Sequence, residues 1–431
     1  MLPGGIDENN WPEVTDDELA AVADTLLSLR LSWINDTQVP ALEREWAQRI
    51  GVRHCVATGS GTAALHAAVA AVGIGPGDEV LVPALSFLAS ATAVLHHQGI
   101  PVFVDVDPAT FTIDPDDLDR HLTDRTRAVI PVHLHGLPAD MEPVRRFSQR
   151  HGLAVIEDAA QAHDAVYRGR KVGSLGDLGA FSIMAGKNLP TAGEGGLLTT
   201  DDPELRNRAD AVKMFGETIE PGGQRAYNAN TMGWNYRLSS VLAAFTRTQL
   251  RRLDTYTAQV QDGARRLTKL LEGLPGVRGP HVPDDRTHVY HHFRVTADPL
   301  DTGLPVGLFR RAMQEALAAE GVPVGSYQTR PLPAQTLFQE RVGYGRGCPW
   351  TCGHAASTRQ YRASDYPATQ EIIRGTFVVG HRLCMASLRD PAVVDAYGEA
   401  FAKVLGNLGE VVAHAATLSY VDPWQEEDRL W

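Results

Sequence analysis

Between residue 51 and about residue 250, short apolar runs rich in β-branched residues alternate with helix-period patterns. Residues 79–83, 101–105, 128–132 and 154–157 read as buried strands, with 54–57 before them and 179–183 and 196–199 after. Residues 62–73, 86–98 and 141–151 read as the helices between. Runs that are apolar throughout belong to strands covered on both faces. The chain is therefore predicted to be α/β, a mainly parallel sheet flanked by helices. Such sheets take ligands at the carboxyl ends of their strands. Asp158 and the loop 58–62 fall at two of those ends.

The flanks read differently. Residues 15–31 carry a helical pattern that places Leu19, Val22, Ala23, Leu26 and Leu27 on one face. A second helix is expected over 39–50 and a long one over 237–271. The Gly/Pro-rich stretch 273–283 marks a boundary. Beyond it, 288–296 reads as a strand, 306–320 as a helix, 377–381 as a short extended segment and 391–405 as an amphipathic helix. Residues 328–376 show few periodic apolar positions. The expected organisation is an N-terminal segment 1–35, a large domain 36–272 and a smaller α+β domain 273–431.

Charge and composition narrow the partners. The net charge is −12, from 52 acidic and 40 basic residues, which argues against a nucleic-acid partner. No apolar run reaches the length of a membrane span, and the first ten residues do not read as a signal peptide. Four cysteines, at 55, 348, 352 and 384, suit a reducing cytoplasm, and a chain this long needs no disulfide staple.

Two residues carry the chemistry. Asp158 ends the apolar run Ala154-Val155-Ile156-Glu157. Lys187 lies 29 residues later among small and apolar neighbours, before the loop Gly193-Glu194-Gly195-Gly196. A strand-end acid and a loop lysine are what pyridoxal phosphate needs. The acid keeps the ring nitrogen protonated, and the lysine amine links covalently to the aldehyde. The alternatives are a capping aspartate and a solvated lysine. Lys187 is not a Walker lysine, because Asn188 follows it and the upstream glycine is missing. Thr58-Gly59-Ser60-Gly61-Thr62-Ala63-Ala64 follows a strand and opens a helix, a plausible phosphate cradle. It also matches G-x-G-x-x-A, but the acids at 78 and 79 precede the next strand, where a nicotinamide site wants one after it. Phe87 lies just past a strand end, placed either to stack on a flat ring or to fill the core. Gln161 follows Asp158 by three and could face the same ligand. His133, His135 and His163 have no acid or cysteine at ligand spacing, and Cys348, Cys352 and His354 lack a second ligand pair, so no metal is expected.

These stretches, with Gly75-Pro76-Gly77-Asp78-Glu79-Val80 and Gly233-Trp234-Asn235-Tyr236-Arg237, resemble the DegT/DnrJ/EryC1/StrS sugar aminotransferases. That family belongs to the fold-type I pyridoxal phosphate enzymes, with a seven-stranded-type sheet in the large domain. The resemblance implies that Lys187 holds the cofactor and shuttles the proton, and that Asp158 pairs with the ring nitrogen. Gln161 would contact the ring hydroxyl, and Phe87 would stack on the ring. Ser60, Gly61, Thr62 and Ser182 would hold the phosphate. Asn235 would reach the phosphate of the partner subunit's cofactor, so a homodimer with shared sites is implied. The implied cycle is ping-pong: L-glutamate or L-glutamine loads the amine, and a keto-sugar or keto-cyclitol accepts it. His135, His163, Tyr327 and His381 are the candidate substrate contacts.

The chain departs from the family pattern on the acceptor side. His135 stands where an aromatic residue is common, and Pro333 replaces the usual His. Ile183-Met184-Ala185 is less polar than usual. Val379-Gly380-His381-Arg382-Leu383 is similar to the inosose aminotransferase branch, which favours a cyclitol ketone or related carbocycle, and the chain length and the segment 328–376 suggest an unusual acceptor in natural-product biosynthesis. A family dehydratase of the common kind would carry His at 187, although relatives of the aminohydroxybenzoate synthases keep the lysine and dehydrate. A non-catalytic binder would lack the lysine or the phosphate loop. An oxidoreductase would leave Lys187 and Asp158 without a task.

Overall fold

The computed structural model describes residues 11–218, 225, 227–355, 357–380 and 387–425. Its centre is a seven-stranded sheet built from β1 (His54–Thr58), β2 (Glu79–Pro83), β3 (Ile100–Val104), β4 (Thr126–Val129) and β5 (Ala154–Asp158). After a small hairpin, β6 (Val166–Tyr167) and β7 (Arg170–Lys171), the sheet is completed by β8 (Leu178–Ser182) and β9 (Gly196–Thr200). The spatial order is β1-β9-β8-β5-β4-β2-β3, and only β9 runs against its neighbours. The strands β2, β3 and β9 are buried along their whole length, as continuous apolar runs require. Helices Gly61–Ala71 and Ala89–His96 pack on one side, around Val80, Val82, Ile156 and Leu198. Met141, Val144 and Phe147 of helix Met141–His151 pack on the other with Leu81, Val102 and Val155.

A second, antiparallel sheet follows: β10 (Val277–Arg278), β11 (Phe293–Ala297), β12 (Val324–Gly325) and β13 (Thr376–Val379), in the order β10-β11-β13-β12. Its core includes Phe293, Val295, Phe377 and Val379, covered by Phe309 and Met313 of helix Val306–Ala319 and Tyr397 and Phe401 of helix Pro391–Gly406. Helix Ser240–Leu271 contributes side chains to both cores. At 32 residues it is about 48 Å long at the α-helical rise.

Four expectations change. The predicted strand 288–296 begins only at Phe293, and 288–292 is a connecting loop. Residues 328–376 form a packed segment: Leu332, Phe338, Trp350, Tyr361 and Tyr366 join Phe103 in the large-sheet core. Tyr361 Oη donates to Pro101 O (2.9 Å). Asp105, largely buried at the end of β3, accepts from Ala368 N, Thr369 N and Thr369 Oγ1 at 2.7–2.9 Å, capping helix Pro367–Gly375. The first helix, Asp16–Leu27, buries Glu18 against Arg252 and leaves Leu19, Leu26 and Leu27 exposed in the single chain. The polar pairing, rather than the apolar face, docks this helix. Finally, Cys348 and Cys352 form a disulfide where free thiols were expected, because a turn brings their Cα atoms to 5.6 Å. It closes a five-residue turn and staples no core. No helix among the described residues is long and apolar enough to cross a membrane.

Candidate active site

The carboxyl ends of β1, β2, β5 and β8 open onto a cavity of about 780 Å³, closed on its far side by the second sheet. Asp158 terminates β5 there and is 5% exposed. Its Oδ2 accepts from Ser90 Oγ (2.6 Å), and its Oδ1 from Ala160 N (3.2 Å). Ser86 Oγ lies 2.7 Å from Ser90 Oγ. An ionised carboxylate only accepts, so Ser90 gives it the proton and receives one from Ser86. Burial raises the Asp158 pKa, offset in part by the Ser90 bond. This is a desolvated acid, whose charged form a neighbouring cation favours.

The strand end is held by its neighbour. Glu157 is fully buried and accepts from Leu175 N, Gly176 N and Gly173 N at 2.6–2.8 Å and from His133 Nε2 at 2.9 Å. Ala139 N donates to His133 Nδ1 (3.0 Å), which leaves the ring proton on Nε2, facing Glu157. His133 is thus a structural clamp. No group of three or more His, Cys, Asp or Glu able to hold a metal exists among the described residues.

Opposite Asp158, helix Gly61–Ala71 aims its N-terminus at the cavity. Ser60 caps it, its Oγ accepting from Ala63 N (3.1 Å). The first N–H groups of the helix, at Gly61 and Thr62, lack intrahelical partners and border the cavity. Glycine is required at 61, because a Cβ there would stand 2.6 Å from Ser182 Cβ. Ser60, Thr62 and Ser182 add hydroxyls along the same wall. This is an anion cradle.

Lys187 lies on the cavity wall in the loop after β8, with Glu194 nearby. Burial lowers its pKa from 10.5 to about 8, against the opposing pull of Asp158 and Glu194. The neutral, nucleophilic amine is therefore enriched at neutral pH by on the order of 10²-fold over an ordinary lysine. Reductive methylation of the cofactor-free protein should give Lys187 an apparent pKa near 8, read peptide by peptide by mass spectrometry. Labelling should rise between pH 7 and 9, where surface lysines remain protonated.

Phe87 stands at the cavity and is 61% exposed. Gln161 is fixed at both ends: Oε1 accepts from His135 N (2.7 Å), and Nε2 donates to Tyr327 Oη (3.2 Å). Tyr327 lines the cavity. His135 and His163, expected as substrate contacts, do not line it. His135 is buried beside Arg294 and Gln328. His163 packs between Trp46 and Phe181 in the core, where burial and then Lys187 push its pKa down to about 3. His381 lies outside the described residues. Asn235 is exposed, does not line its own chain's cavity, and accepts from Arg237 Nε (2.8 Å). The next residue, Tyr236, takes the Gly59 N–H (2.6 Å), joining this segment to the cradle loop.

Sequence patterning missed His291 and His292, which fall within the predicted strand 288–296. Both border the cavity. His291 Nδ1 lies 3.1 Å from Asn188 Oδ1, whose Nδ2 donates to Val289 O (2.9 Å). The amide oxygen only accepts, so His291 donates from Nδ1. Burial and the neighbouring Lys187 hold its pKa well below the usual value. Ser90, which orients Asp158, was missed as well.

Residues 12–361 match the DegT/DnrJ/EryC1/StrS aminotransferase family. The chain belongs to this family. It is 36% identical over 413 residues to the L-glutamine:2-deoxy-scyllo-inosose aminotransferase of Streptomyces fradiae, covering 92% of this chain and 93% of that one. It is 38% identical over 346 residues to the dTDP-3-amino-3,4,6-trideoxy-α-D-glucose transaminase of Streptomyces venezuelae, covering 77% and 87%. The crystal structure of S. venezuelae DesV superposes with a TM-score of 0.75 at 32% identity, covering 89% and 94%. The chain is a pyridoxal phosphate-dependent aminotransferase. The residues present fit that cofactor: a desolvated acid, an amine of lowered pKa and a glycine-opened helix terminus border one cavity.

Proposed function

We propose that this enzyme moves the amino group of L-glutamine or L-glutamate onto the ketone of a cyclitol or a related carbocycle in natural-product biosynthesis. The cofactor, when bound, supplies the electron sink for the 1,3-proton shift. In this reading Lys187 holds it and carries the proton, Asp158 sustains the ring cation, and Phe87 covers the ring. Gln161 meets the ring hydroxyl, while Ser60, Gly61, Thr62 and Ser182 bind the phosphate. Tyr327 faces the substrate.

The observation that supports the acceptor class is the charge of the wall this chain itself contributes. Among the described residues Lys187 is the only lysine or arginine bordering the cavity. A nucleotide-linked sugar brings a diphosphate that needs cationic partners, whereas a polyhydroxy ring needs only hydrogen bonds. The likeness to an inosose aminotransferase over nearly the whole chain supports the same choice. Asn235, exposed and flanked by exposed Met232 and Phe215, supports a homodimer in which it completes the partner's site.

The test follows ¹⁵N from amide- and amine-labelled glutamine, and from glutamate, into product with purified enzyme and cofactor. Keto-inositols should take up the α-¹⁵N, and nucleotide-linked keto-sugars should be poor acceptors. Transfer to the nucleotide sugars alone would refute the cyclitol reading, and no transfer from any amino acid would refute amine transfer.

A further inference from the structure

The face of the second sheet that looks toward the cavity carries a buried cation. Arg294 on β11 pairs directly with Val378 on β13, which pairs with Gly325 on β12. Directly paired residues share a face. Val378 and Gly325 border the cavity, so Arg294 stands on the same face, one strand further in, and is 3% exposed. Its Nε donates to Thr376 Oγ1 (2.6 Å), its Nη1 to Gln328 Oε1 (3.1 Å) and its Nη2 to Tyr327 O (3.4 Å). His135 Nε2 lies 3.2 Å from Nη1, and the Phe111 ring centre 5.4 Å from the guanidinium carbon. Every one of these partners is uncharged.

A second guanidinium stands close by. Arg310, 6% exposed on helix Val306–Ala319, donates to Ser326 Oγ and to Gln314 Oε1. Neither arginine meets a carboxylate among the described residues. Burial first, and then Arg310, lower the Arg294 pKa to about 9, which leaves it charged at neutral pH. Burying a cation without an anion is unfavourable, and two neighbours compound the cost. The Gln328 amide adds a second anomaly: its Nε2 is buried without a partner among the described residues. Phe111, His135 and Gln328, the collar around Arg294, all adopt left-handed backbone angles, with φ of 63°, 58° and 55°. Non-glycine residues accept that conformation where surrounding structure imposes it, often at ligand sites.

We propose that Arg294, backed by Arg310, is the subsite for a carboxylate of the amino donor, with Gln328 Oε1 holding the carboxylate's place until the donor enters. The planar fork of a guanidinium suits two carboxylate oxygens, and Tyr327, whose carbonyl it meets, lines the cavity that Lys187 also borders. The assignment to the donor rests on the amine-transfer reading above. It explains how one cavity serves two unlike substrates. The amino acid carries the anion that Arg294 lacks, and the neutral polyhydroxy ketone leaves Gln328 in place.

Two measurements test it. Glutarate and its neutral diamide, glutaramide, are titrated into the wild-type holoenzyme by calorimetry. Glutarate should bind about 10- to 100-fold tighter, the worth of a charge-assisted hydrogen bond, and equal binding would overturn the proposal. In the second, Arg294→Gln should raise the apparent KM for the amino donor by a similar factor and weaken glutarate alike. Amine uptake by the keto acceptor, from enzyme assembled with pyridoxamine phosphate, should stay within about twofold, and Arg294→Lys should recover part of the loss. Equal losses in both half-reactions, or a loss confined to the acceptor, would refute a donor subsite. Should Arg294→Gln fail to fold, the wild-type titration alone decides. Charge-dependent glutarate binding in an enzyme that transfers no amine would keep the subsite and sink the functional reading. Amine transfer without that preference would do the reverse.

Discussion

Lys187→Ala is expected to cut amine transfer by at least about 10⁴-fold, the upper range for a group acting in proton transfer, with loss of the covalent hold on the cofactor in addition. No other lysine borders the cavity among the described residues, so no neighbouring amine can substitute. The side chain lies in a loop that the β8 end and the Gly195–Gly196 turn fix, through Ile183 N to Gly195 O (2.9 Å) and Ala185 N to Gly193 O (2.9 Å). Its removal therefore leaves the frame intact, and the melting temperature of the cofactor-free protein should change little. Borohydride followed by denaturation should leave the wild type, but not the variant, carrying the cofactor on the peptide containing position 187. Millimolar methylamine should restore part of the rate, because a small amine can occupy the vacated space. A variant retaining more than about 1% of wild-type turnover would show that the chemistry lies elsewhere.

The parts legible in the sequence were those whose signal is local. Asp158 ends a continuous apolar run, and Lys187 is an isolated charge among small residues; both features survive without knowing what packs against them. The glycines at 59 and 61 follow a strand and open a helix, a pattern that reads directly as a cradle. The central sheet was legible for the same reason, since strands covered on both faces announce themselves as unbroken apolar runs.

What was not legible depends on contacts between distant segments. Ser90 looks like any helix hydroxyl until β5 brings Asp158 to within 2.6 Å of it. His291 and His292 read as part of a strand, yet the strand starts after them and the loop turns their rings to the cavity. Arg294 alternates as a polar residue on a strand should, which suggests solvent, while His135 and Phe111, from the part of the chain that builds the seven-stranded sheet, cover it. The segment 328–376 has no period because its apolar residues insert one at a time into a core built by other elements. The exposed leucines of the first helix show the converse: a clear periodic face that a single chain does not bury.

Asp158→Asn should separate the role of this acid in catalysis from any role in folding. The substitution keeps the shape and one acceptor oxygen, so the bonds from Ser90 and Ala160 can reorganise around it. In the cofactor-free protein the acid is a burden: burial raises its folded pKa above the unfolded value. A carboxyl of that kind stabilises the fold only while protonated, and the contribution is lost as pH rises from the unfolded pKa through the folded one. At neutral pH the variant's cofactor-free form should therefore melt no lower than the wild type. The holoenzyme should behave in the opposite sense. The amide of Asp158→Asn could not hold a proton on the ring nitrogen of a bound cofactor, which would then be a poorer electron sink. Turnover should fall by about 10²–10³-fold, the range for loss of one preorganised electrostatic partner. Ser90→Ala should fall between wild type and Asp158→Asn, because it removes one charge-assisted bond and leaves the charge. Stopped-flow measurement of the amine-loading step, beside melting curves with and without cofactor, would read both effects. An Asp158→Asn enzyme that turns over at the wild-type rate would remove this acid from the mechanism.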